Sequence, residues 1–264
     1  MDEGEPQLHK PTARVLDSLE AISGNPRGCT LTDISQAIGA PKSTLVPVLR
    51  TMERKGFIAL DPETSRYTVG IRAFAVGSTF SEGDSLISLI KKEMEALVRS
   101  CSETCQLGVL EGGNVFYVAK VDSPEPIRMI SSIGTRVPAY CSAIGKALLS
   151  DYTEEGLKSL YPGKLKRLTS HTVSTISELE EMIEAQRERG LFEEREESTM
   201  GLACFAVPLR RGSAIVAAAS VSVPLFRLDS GKRDLVVSQL AEFRVRGERI
   251  LSSYTGEGGL LALK

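Results

Sequence analysis

Lys42, Ser43 and Thr44 place an ammonium group and two hydroxyls at the start of a segment with helical hydrophobic spacing. The N-terminus of a helix presents free backbone amides and the positive end of the helix dipole, which together favour a phosphate. Arg50 lies two turns further along, and Thr32 heads the preceding predicted helix, where it suits a neighbouring phosphate. The pattern indicates contact with a phosphate backbone. The alternative is that Ser43 and Thr44 only cap the helix.

A second set of residues fits a small carboxylate. The segment 142–145, Ser-Ala-Ile-Gly, opens a predicted helix with small residues, so that backbone amides can approach an anion. Ser220 and Ser222 alternate with valines in an otherwise apolar predicted strand, and both hydroxyls therefore lie on one face. Hydroxyls inside an apolar run indicate a polar pocket. The alternative is that the two serines have only a structural role.

Residues that would support catalysis do not occur at the required spacing. Gly145-Lys146 resembles part of a phosphate-binding loop, but Tyr140 and Ala147 stand where that motif needs Gly and Ser or Thr. The remaining enzymatic hypothesis pairs Cys204 as a nucleophile with His171 as its base, and sequence alone does not bring them into contact. We therefore expect a protein that is not an enzyme.

The histidines and cysteines do not have the spacing of a metal site or of a set of disulfides. The two histidines, His9 and His171, are far apart, while Cys101 and Cys105 share helical spacing without further ligands. The five cysteines form an odd number with no repeated spacing, so reduced thiols are expected. We expect no metal and no cofactor, apart from a small-molecule effector.

Composition is that of an ordinary globular chain. The 264 residues carry 32 Lys and Arg against 34 Asp and Glu. The net charge of −2 excludes a uniformly basic nucleic-acid coat, although a local basic face remains compatible with it. The acidic start resembles neither a signal peptide nor a membrane anchor, and no segment reaches the roughly 18 apolar residues of a spanning helix. We expect a cytoplasmic protein with no membrane contact.

Three short helices are predicted near the N-terminus from apolar residues at helical spacing. The first begins at Thr12. The second begins at Thr32-Asp33, where we expect a hydroxyl cap, and it ends at Gly39 because glycine accepts a left-handed conformation. The third follows Pro41, a residue that a first helical turn tolerates.

Two extended runs, 57–60 and 66–69, then predict a hairpin. Three helices followed by a hairpin predict a winged helix-turn-helix domain over residues 12–70, after a flexible N-terminus of residues 1–11. From residue 10 to residue 72 the chain has nine Lys and Arg against six Asp and Glu. This local basic excess lies in the segment where DNA contact is expected.

A linker helix is predicted over residues 71–84, followed by an amphipathic helix from residue 86 to residue 98. Five strands are predicted at 106–110, 115–121, 127–130, 205–209 and 215–223. Four further helices are predicted at 144–149, 154–160, 178–189 and 232–254. The fold class is therefore mixed α/β (α+β), with a mainly antiparallel sheet and flanking helices in a domain over residues 85–254 and a flexible tail at 255–264.

The order and spacing of several motifs resemble those of the IclR-type transcriptional regulators, from about Arg14 to Tyr254. The segments that carry the resemblance are Pro41-Lys42-Ser43-Thr44, Gly56-Phe57-Ile58, Gly134–Pro138, Cys141–Ala147, Arg189-Gly190, Glu196-Glu197, Gly201, Ala206-Val207-Pro208 and Ser220-Val221-Ser222. The resemblance implies an N-terminal winged helix for DNA, a linker helix used in dimerisation, and a C-terminal GAF-like domain that binds a small molecule.

The resemblance also implies the residues of the effector site. Its walls would be Met129 and Val137, its amide donors Ala143 and Ile144, its rim group Glu194, its inward thiol Cys204, and its polar anchors Ser220 and Ser222. For Cys204 the alternative is a small buried side chain with no functional role.

One residue departs from the family pattern. Relatives commonly carry an arginine in the recognition helix where this chain has Pro47, which removes a backbone donor and predicts a kink. The base contacts of the family therefore do not transfer beyond the first turn, and we expect Lys42, Val46 and Arg50 to take over. Arg66, in the predicted wing, would reach a phosphate or the minor groove.

These expectations combine into a ligand-responsive DNA-binding transcriptional regulator. We expect a repressor that a small carboxylate or a hydroxy or aldehyde acid releases from double-stranded operator DNA. It would act as a homodimer or as a dimer of dimers, with half-sites spaced by whole turns of DNA. The alternatives are a ligand-independent dimeric DNA-binding protein and a thiol-dependent enzyme.

Overall fold

The computed structural model describes residues 8–82 and 85–255, without the side chains of residues 78–82 and 85. It divides into two compact units, Met1–Gly83 and Asp84–Lys264. Most of the predicted flexible N-terminus and the tail from residue 256 lie outside the described residues. None of the described helices combines the length and the apolar character that crossing a membrane requires.

The first unit is a three-helix head with a small sheet. Its elements are α1 (Lys10–Ser23), β1 (Cys29–Thr30), α2 (Leu31–Ile38), α3 (Lys42–Arg54), β2 (Ile58–Asp61), β3 (Arg66–Val69) and α4 (Ile71–Glu82). The antiparallel sheet has the order β1-β3-β2. Its core consists of Ile22, Cys29, Ile34, Ala40, Leu45, Leu49, Met52 and Ile58. The predicted helices and hairpin are confirmed, while the two-residue β1 was too short to predict.

The predicted cap of α2 is wrong. Thr30, rather than Thr32, is the N-cap residue, and its hydroxyl accepts a hydrogen bond from the Asp33 amide at 3.2 Å. The Asp33 carboxylate accepts one in return from the Thr30 amide at 2.9 Å. This reciprocal capping box satisfies two amides that have no partner inside the helix. The end of α2 is as predicted, since Gly39 adopts a φ of 63°.

The second unit contains a six-stranded sheet. Its elements are α5 (Ser85–Cys101), β4 (Thr104–Glu111), β5 (Asn114–Val121), β6 (Arg136–Pro138), α6 (Ala143–Leu149), α7 (Glu154–Leu160), α8 (Ile176–Arg187), β7 (Phe192–Arg195), β8 (Leu202–Arg211), β9 (Ala214–Pro224) and α9 (Ser230–Ser253). The strand order is β6-β5-β4-β9-β8-β7, and all neighbouring strands are antiparallel. The predicted mixed domain with an antiparallel sheet is confirmed.

One predicted strand is wrong, and two strands were missed. Residues 127–130 form a loop, because the outer edge of β5 pairs with Arg136–Pro138 instead. Ile127 and Ile130 are 63% and 86% exposed, so this short apolar run does not form a buried strand. The missed strands β6 and β7 are short edge strands, and three of the four residues of β7 are charged, which hides a strand pattern.

The two faces of this sheet differ. One face packs against α5 and α9, through residues that include Leu97, Val109, Val207, Val236 and Phe243. The other face packs against α6, α7 and α8, through residues that include Val115, Ile144, Leu157, Ile183 and Ala206. Polar side chains are buried on the α6 face, and this face therefore carries the candidate site described below.

The capping box of α2 provides a test of the head. Replacing Thr30 with Ala should lower the free energy of opening of α2 by about 1 kcal/mol, because a capped amide loses its acceptor. The measurement is native-state hydrogen exchange of the α2 amides, which isolates this helix from the rest of the chain. Thr32→Ala is the matched control and should change that free energy by less than about 0.5 kcal/mol. Equal effects of the two variants would contradict the assignment of Thr30 as the cap.

Candidate nucleic-acid interface and small-molecule site

The N-termini of α2 and α3 meet at an exposed point of the head. The Lys42 ammonium donates a hydrogen bond to the Thr32 hydroxyl at 2.7 Å, and both residues are exposed. Lys42 is the first residue of α3, while Thr32 is the second residue of α2. The structure therefore joins two of the predicted phosphate-binding residues, beside amides that have no acceptor within their helices.

The outward face of α3 carries the other predicted contacts. Ser43 and Arg50 are exposed, whereas Thr44 and Val46 are half-buried. The helix continues through Pro47 to Arg54, so the proline does not end it. Pro47 lines an apolar groove together with residues of α1, namely Pro11, Val15, Leu16 and Leu19.

Arg66 has partners within the head. Its Nη1 donates to the Gly28 carbonyl at 2.8 Å and lies 3.8 Å from the Asp33 carboxylate. The guanidinium thus links β3 to the residue before β1 and to the start of α2. A phosphate contact by Arg66 would compete with these interactions, and it stays a prediction.

In the second unit, a stripe of polar side chains crosses the α6 face of the sheet. Glu194 pairs with Cys204 across β7 and β8, and Cys204 pairs with Ser222 across β8 and β9. Ser220 pairs with Gln106 across β9 and β4. Residues opposite each other in antiparallel strands point to the same side of the sheet. The register therefore puts Glu194, Cys204 and Ser222 in one row, with Ser220 in the adjacent row on the same face of the sheet.

Gln106 connects the two serines. Its Oε1 accepts hydrogen bonds from the hydroxyls of Ser220 at 3.3 Å and Ser222 at 3.1 Å. Its Nε2 donates to the Ser131 hydroxyl at 3.0 Å. Our sequence analysis missed Gln106, although a lone amide between Cys105 and Leu107 in a predicted strand was a usable signal.

Cys204 is a buried thiol at the centre of the stripe. Its sulfur lies 3.4 Å from the Ser222 hydroxyl. Burial, together with the nearby Glu194 carboxyl, raises the pKa of Cys204 well above its usual range, so the reactive thiolate is disfavoured. His171, the hypothetical base, is half exposed and lies 3.7 Å from Glu196. The raised pKa of the buried Cys204 thiol speaks against the thiol-dependent enzyme.

Glu194 and Glu197 form a buried acidic pair beside Cys204. The Glu194 carboxylate accepts a hydrogen bond from the Glu197 amide at 2.8 Å. Glu194 is only 3% exposed, and this burial raises the pKa of its carboxyl. Burial also raises the pKa of Glu197, and the charge of Lys146 offsets part of that rise. The protonated form of Glu194 is favoured relative to an exposed glutamate, and a neutral carboxyl can donate a hydrogen bond.

Lys146 is fully buried in α6 and neutralises Glu197. The Lys146 Nζ and the Glu197 Oε1 are 2.5 Å apart, while the second carboxylate oxygen, Oε2, has no partner among the described residues. From the sequence, Lys146 resembled only part of a phosphate-binding loop. A lysine within the otherwise apolar stretch Ala143–Leu149 was the available signal of a buried ion pair.

The start of α6 is packed closely against the preceding turn. The Ser142 hydroxyl accepts a hydrogen bond from the Gly145 amide at 3.2 Å. A Cβ at Gly145 would lie 2.0 Å from the Ala139 carbonyl oxygen, so only glycine permits this approach. Ala143 and Ile144, the predicted amide donors, are buried in the first turn.

Of the two predicted wall residues, Val137 packs against the core on the α6 face, whereas Met129 lies in a loop. Val137 is half-buried on β6, opposite Val115. Met129 is half-buried in the loop that follows β5. That loop is held on both sides of Met129, since Arg227 donates to the Ile127 carbonyl at 2.8 Å and Lys120 donates to the Ser131 carbonyl at 2.7 Å.

A cavity of about 410 Å³ opens at the β7 end of the stripe. Glu194 is the one predicted effector residue among those that line it, and Glu197, His171 and Met182 lie beside it. Ala143, Cys204, Ser220 and Ser222 are buried deeper under α6. The cavity therefore reaches the acidic end of the stripe, while the hydroxyls lie inside the domain.

Comparisons with known proteins agree with this architecture. Residues 11–62 match the family described as the IclR helix-turn-helix domain, and residues 81–244 match the one described as the C-terminal domain of the bacterial transcriptional regulator IclR. The HTH-type transcriptional regulator KdgR of Escherichia coli (strain K12) is 32% identical over 238 residues, which cover 89% of this chain and 90% of KdgR.

Solved structures show the same fold. An IclR transcriptional regulator from Alicyclobacillus acidocaldarius superposes with a TM-score of 0.83 at 21% identity, over 93% of this chain and all of that one. An IclR homologue from Microbacterium hydrocarbonoxydans, complexed with 4-hydroxybenzoate, superposes with a TM-score of 0.79 at 23% identity, over 92% of this chain and all of that one.

The buried ion pair gives a stability prediction. Lys146→Met should lower the free energy of unfolding of the second unit by about 3–5 kcal/mol at pH 7, because Glu197 is left buried without a countercharge. The pKa of Glu197 in the folded variant then rises further above its unfolded value, so the folded state binds a proton more readily. The loss of stability caused by Lys146→Met therefore grows as pH rises from the unfolded pKa of Glu197 to its raised pKa in the folded variant. It shrinks as pH falls through the same range.

Chemical denaturation of the wild type and the variant at pH 5 and pH 8 measures this effect. The double variant Lys146→Met/Glu197→Gln serves as the control, since it removes the charge together with its partner, and it should be less destabilised than Lys146→Met alone. A loss of stability that is equal at both pH values and in both variants would show that packing, rather than charge, is what Lys146 contributes.

Proposed function

Because the chain belongs to the IclR family of bacterial transcriptional regulators, we propose that it represses transcription from an operator bound by its first unit. We further propose that a small hydroxylated carboxylic acid binds the second unit and releases the protein from DNA. The family consists of regulators, not enzymes. Operator binding requires access to the chromosome, and we therefore assign the protein to the cytoplasm.

The observation that supports the DNA role most directly is the contact between Lys42 and Thr32. It places an ammonium, a hydroxyl and the amides of two helix N-termini at one exposed point. Such a group holds a phosphate and fixes the orientation of the protein on the duplex. Ser43 and Arg50 extend the same face, and Val46 is the apolar side chain between them.

The polar stripe supports the choice of effector. Ser220 and Ser222 donate their protons to Gln106, and the Ser222 oxygen also accepts from the Cys204 thiol, so the Ser220 oxygen and the second lone pair of the Ser222 oxygen can accept hydrogen bonds from hydroxyl groups of a ligand. At the other end, a protonated Glu194 donates to a carboxylate. An acid that also carries hydroxyls satisfies both ends. Among the relatives, the Microbacterium homologue is complexed with a hydroxylated acid, 4-hydroxybenzoate.

Self-association fits the surface of α4. Ile71 and Phe74 are 75% and 67% exposed, which is unusual for two large apolar side chains on one short helix. We propose that α4 contributes to a homodimer, with a dimer of dimers as the larger assembly. Two heads would then contact half-sites spaced by whole turns of DNA.

Fluorescence anisotropy of the full chain on the DNA upstream of its own gene tests the proposal. We expect tight, salt-sensitive binding that one member of a panel of short hydroxy and keto acids weakens. Binding that no acid changes would remove the effector role, and binding that is equally weak on unrelated DNA would remove the operator role.

Lys42→Ala should weaken binding to all DNA sequences by a similar factor, because a phosphate contact carries no sequence information. The slope of log K against log salt should decrease in magnitude by about 0.9, the value for one released counterion. Lys55→Ala, at the other end of α3, is the matched control. An unchanged slope for Lys42→Ala would show that Lys42 does not touch phosphate.

The affinity for the acid should fall as pH rises through the raised pKa of Glu194, by up to about tenfold per pH unit, because only the protonated carboxyl donates to the ligand. Glu194→Gln keeps a neutral donor and should bind with little pH dependence. Calorimetric titration of both proteins between pH 5.5 and pH 8 measures the difference. Parallel pH profiles would assign the proton to another group.

A further inference from the structure

A second cleft lies on the α9 side of the sheet, apart from the polar stripe. It has a volume of about 290 Å³ and opens between α9 and the segment that joins α8 to β7. Its lining consists of Arg189, Gly190, Leu191, Val207, Arg233, Val237, Ala241 and Arg244. Val207 belongs to the core under α5 and α9, whereas its neighbour Ala206 belongs to the core under α6. The cleft and the stripe are therefore on opposite faces of the sheet.

Of the three arginines that line this cleft, only Arg233 forms an ion pair among the described residues. Arg233 is paired with Glu193 and lies 3.9 Å from Asp234. Arg189 and Arg244 form no ion pair within the described residues, so two guanidinium charges at the cleft have no carboxylate partner there. Guanidinium groups bind carboxylates through two parallel hydrogen bonds, and a cleft that carries two unmatched ones favours an anion.

The backbone at Gly190 helps to place Arg244. Arg244 Nη1 donates to the Gly190 carbonyl at 3.4 Å, and a Cβ on Gly190 would lie only 2.4 Å from that same nitrogen. Gly190 also has a φ of 58°, which L side chains rarely adopt. The glycine thus lets the guanidinium lie against the main chain at the mouth of the cleft. The sequence analysis noted Arg189-Gly190 only as part of the family resemblance.

The rest of the cleft is apolar. Leu191, Val207, Val237 and Ala241 form its floor and walls. Arginines at the mouth and aliphatic side chains below match a ligand with an anionic head and an apolar body. The volume is at the lower end of the range for small-molecule sites, so the ligand is small.

We propose that this cleft binds a small aliphatic or alicyclic carboxylate, with its carboxylate on Arg189 and Arg244 and its apolar body on Leu191, Val207 and Val237. This cleft lies on the opposite face of the sheet from the polar stripe, although Arg233 lines both the cleft and the cavity at the β7 end of the stripe, and the proposal does not depend on the effector site.

Methyl NMR of the full chain, titrated with cyclohexanecarboxylate, tests the proposal. The methyl signals of Leu191, Val207 and Val237 should shift and saturate. Cyclohexylmethanol has the same body without the charge, and it should bind at least about tenfold more weakly, since a hydrogen-bonded charge pair is lost. Equal shifts with the acid and the alcohol, or no saturable shift with the acid, would overturn the proposal.

Variants locate the site. Arg189→Met/Arg244→Met should weaken binding of cyclohexanecarboxylate by about tenfold or more, while the alcohol should bind unchanged, which also reports that the cleft is intact. Arg249→Met, on an exposed part of α9 outside the cleft, is the matched control and should have no effect. Ser220→Ala/Ser222→Ala should leave the acid bound at the cleft. Loss of binding in the serine variant with retention in the arginine variant would assign the acid to the effector site and refute the second one.

Discussion

The ion pair between Lys146 and Glu197 is the contact on which the arrangement of the second unit depends. It joins α6, on one face of the sheet, to the turn between β7 and β8. Burying two charges is costly, and only close pairing with additional hydrogen bonds offsets that cost. The turn itself is held by the hydroxyls of Thr169 and Thr172, which donate to the backbone carbonyls of Glu196 and Glu197, whereas the carboxylate oxygen Oε2 of Glu197 has no partner among the described residues. The Glu197 amide then positions the carboxyl of Glu194.

A consequence of this contact is that the polar stripe is held from both ends. At the β7 end, the ion pair fixes Glu194 beside Cys204. At the other end, Gln106 links the serines of β9 to Ser131 in the loop after β5, and Arg227 clamps that loop while binding the buried Glu103. A ligand that inserts between these anchors would have to exchange hydrogen bonds with them. For the ligand proposed to bind here, the stripe offers polar groups held at a fixed separation, and this preorganisation favours an acid whose own polar groups match that separation.

The sequence was informative where a pattern is local and failed where a partner is distant. Ser220 and Ser222 were placed correctly on one face because alternation along a strand is a local rule. The partner of Lys146 lies 51 residues away, and no pattern within α6 identifies it. A capping box requires an acidic or amide side chain three residues after the cap. Thr30 is followed at that distance by Asp33, whereas Thr32 is followed by Ser35, and this difference could have identified Thr30 as the cap. At residues 127–130, a short apolar run resembled a strand, but the outer edge of β5 pairs with β6 instead.

Pro47 changes which parts of α3 are available to contact DNA in the proposed interface. It leaves the helix intact but removes one backbone donor, and its ring contributes to the apolar groove along α1. In the proposed interface, phosphate contacts at the start of α3 fix the position of the helix, and Val46 and Arg50 are the side chains left to read bases. A head with few base contacts discriminates weakly by itself. In the proposed dimer, the spacing between the two heads then supplies much of the selectivity for an operator, because both half-sites must fit at once. This requirement makes the separation of the heads the quantity through which an effector could act, since a small change in it alters both contacts together.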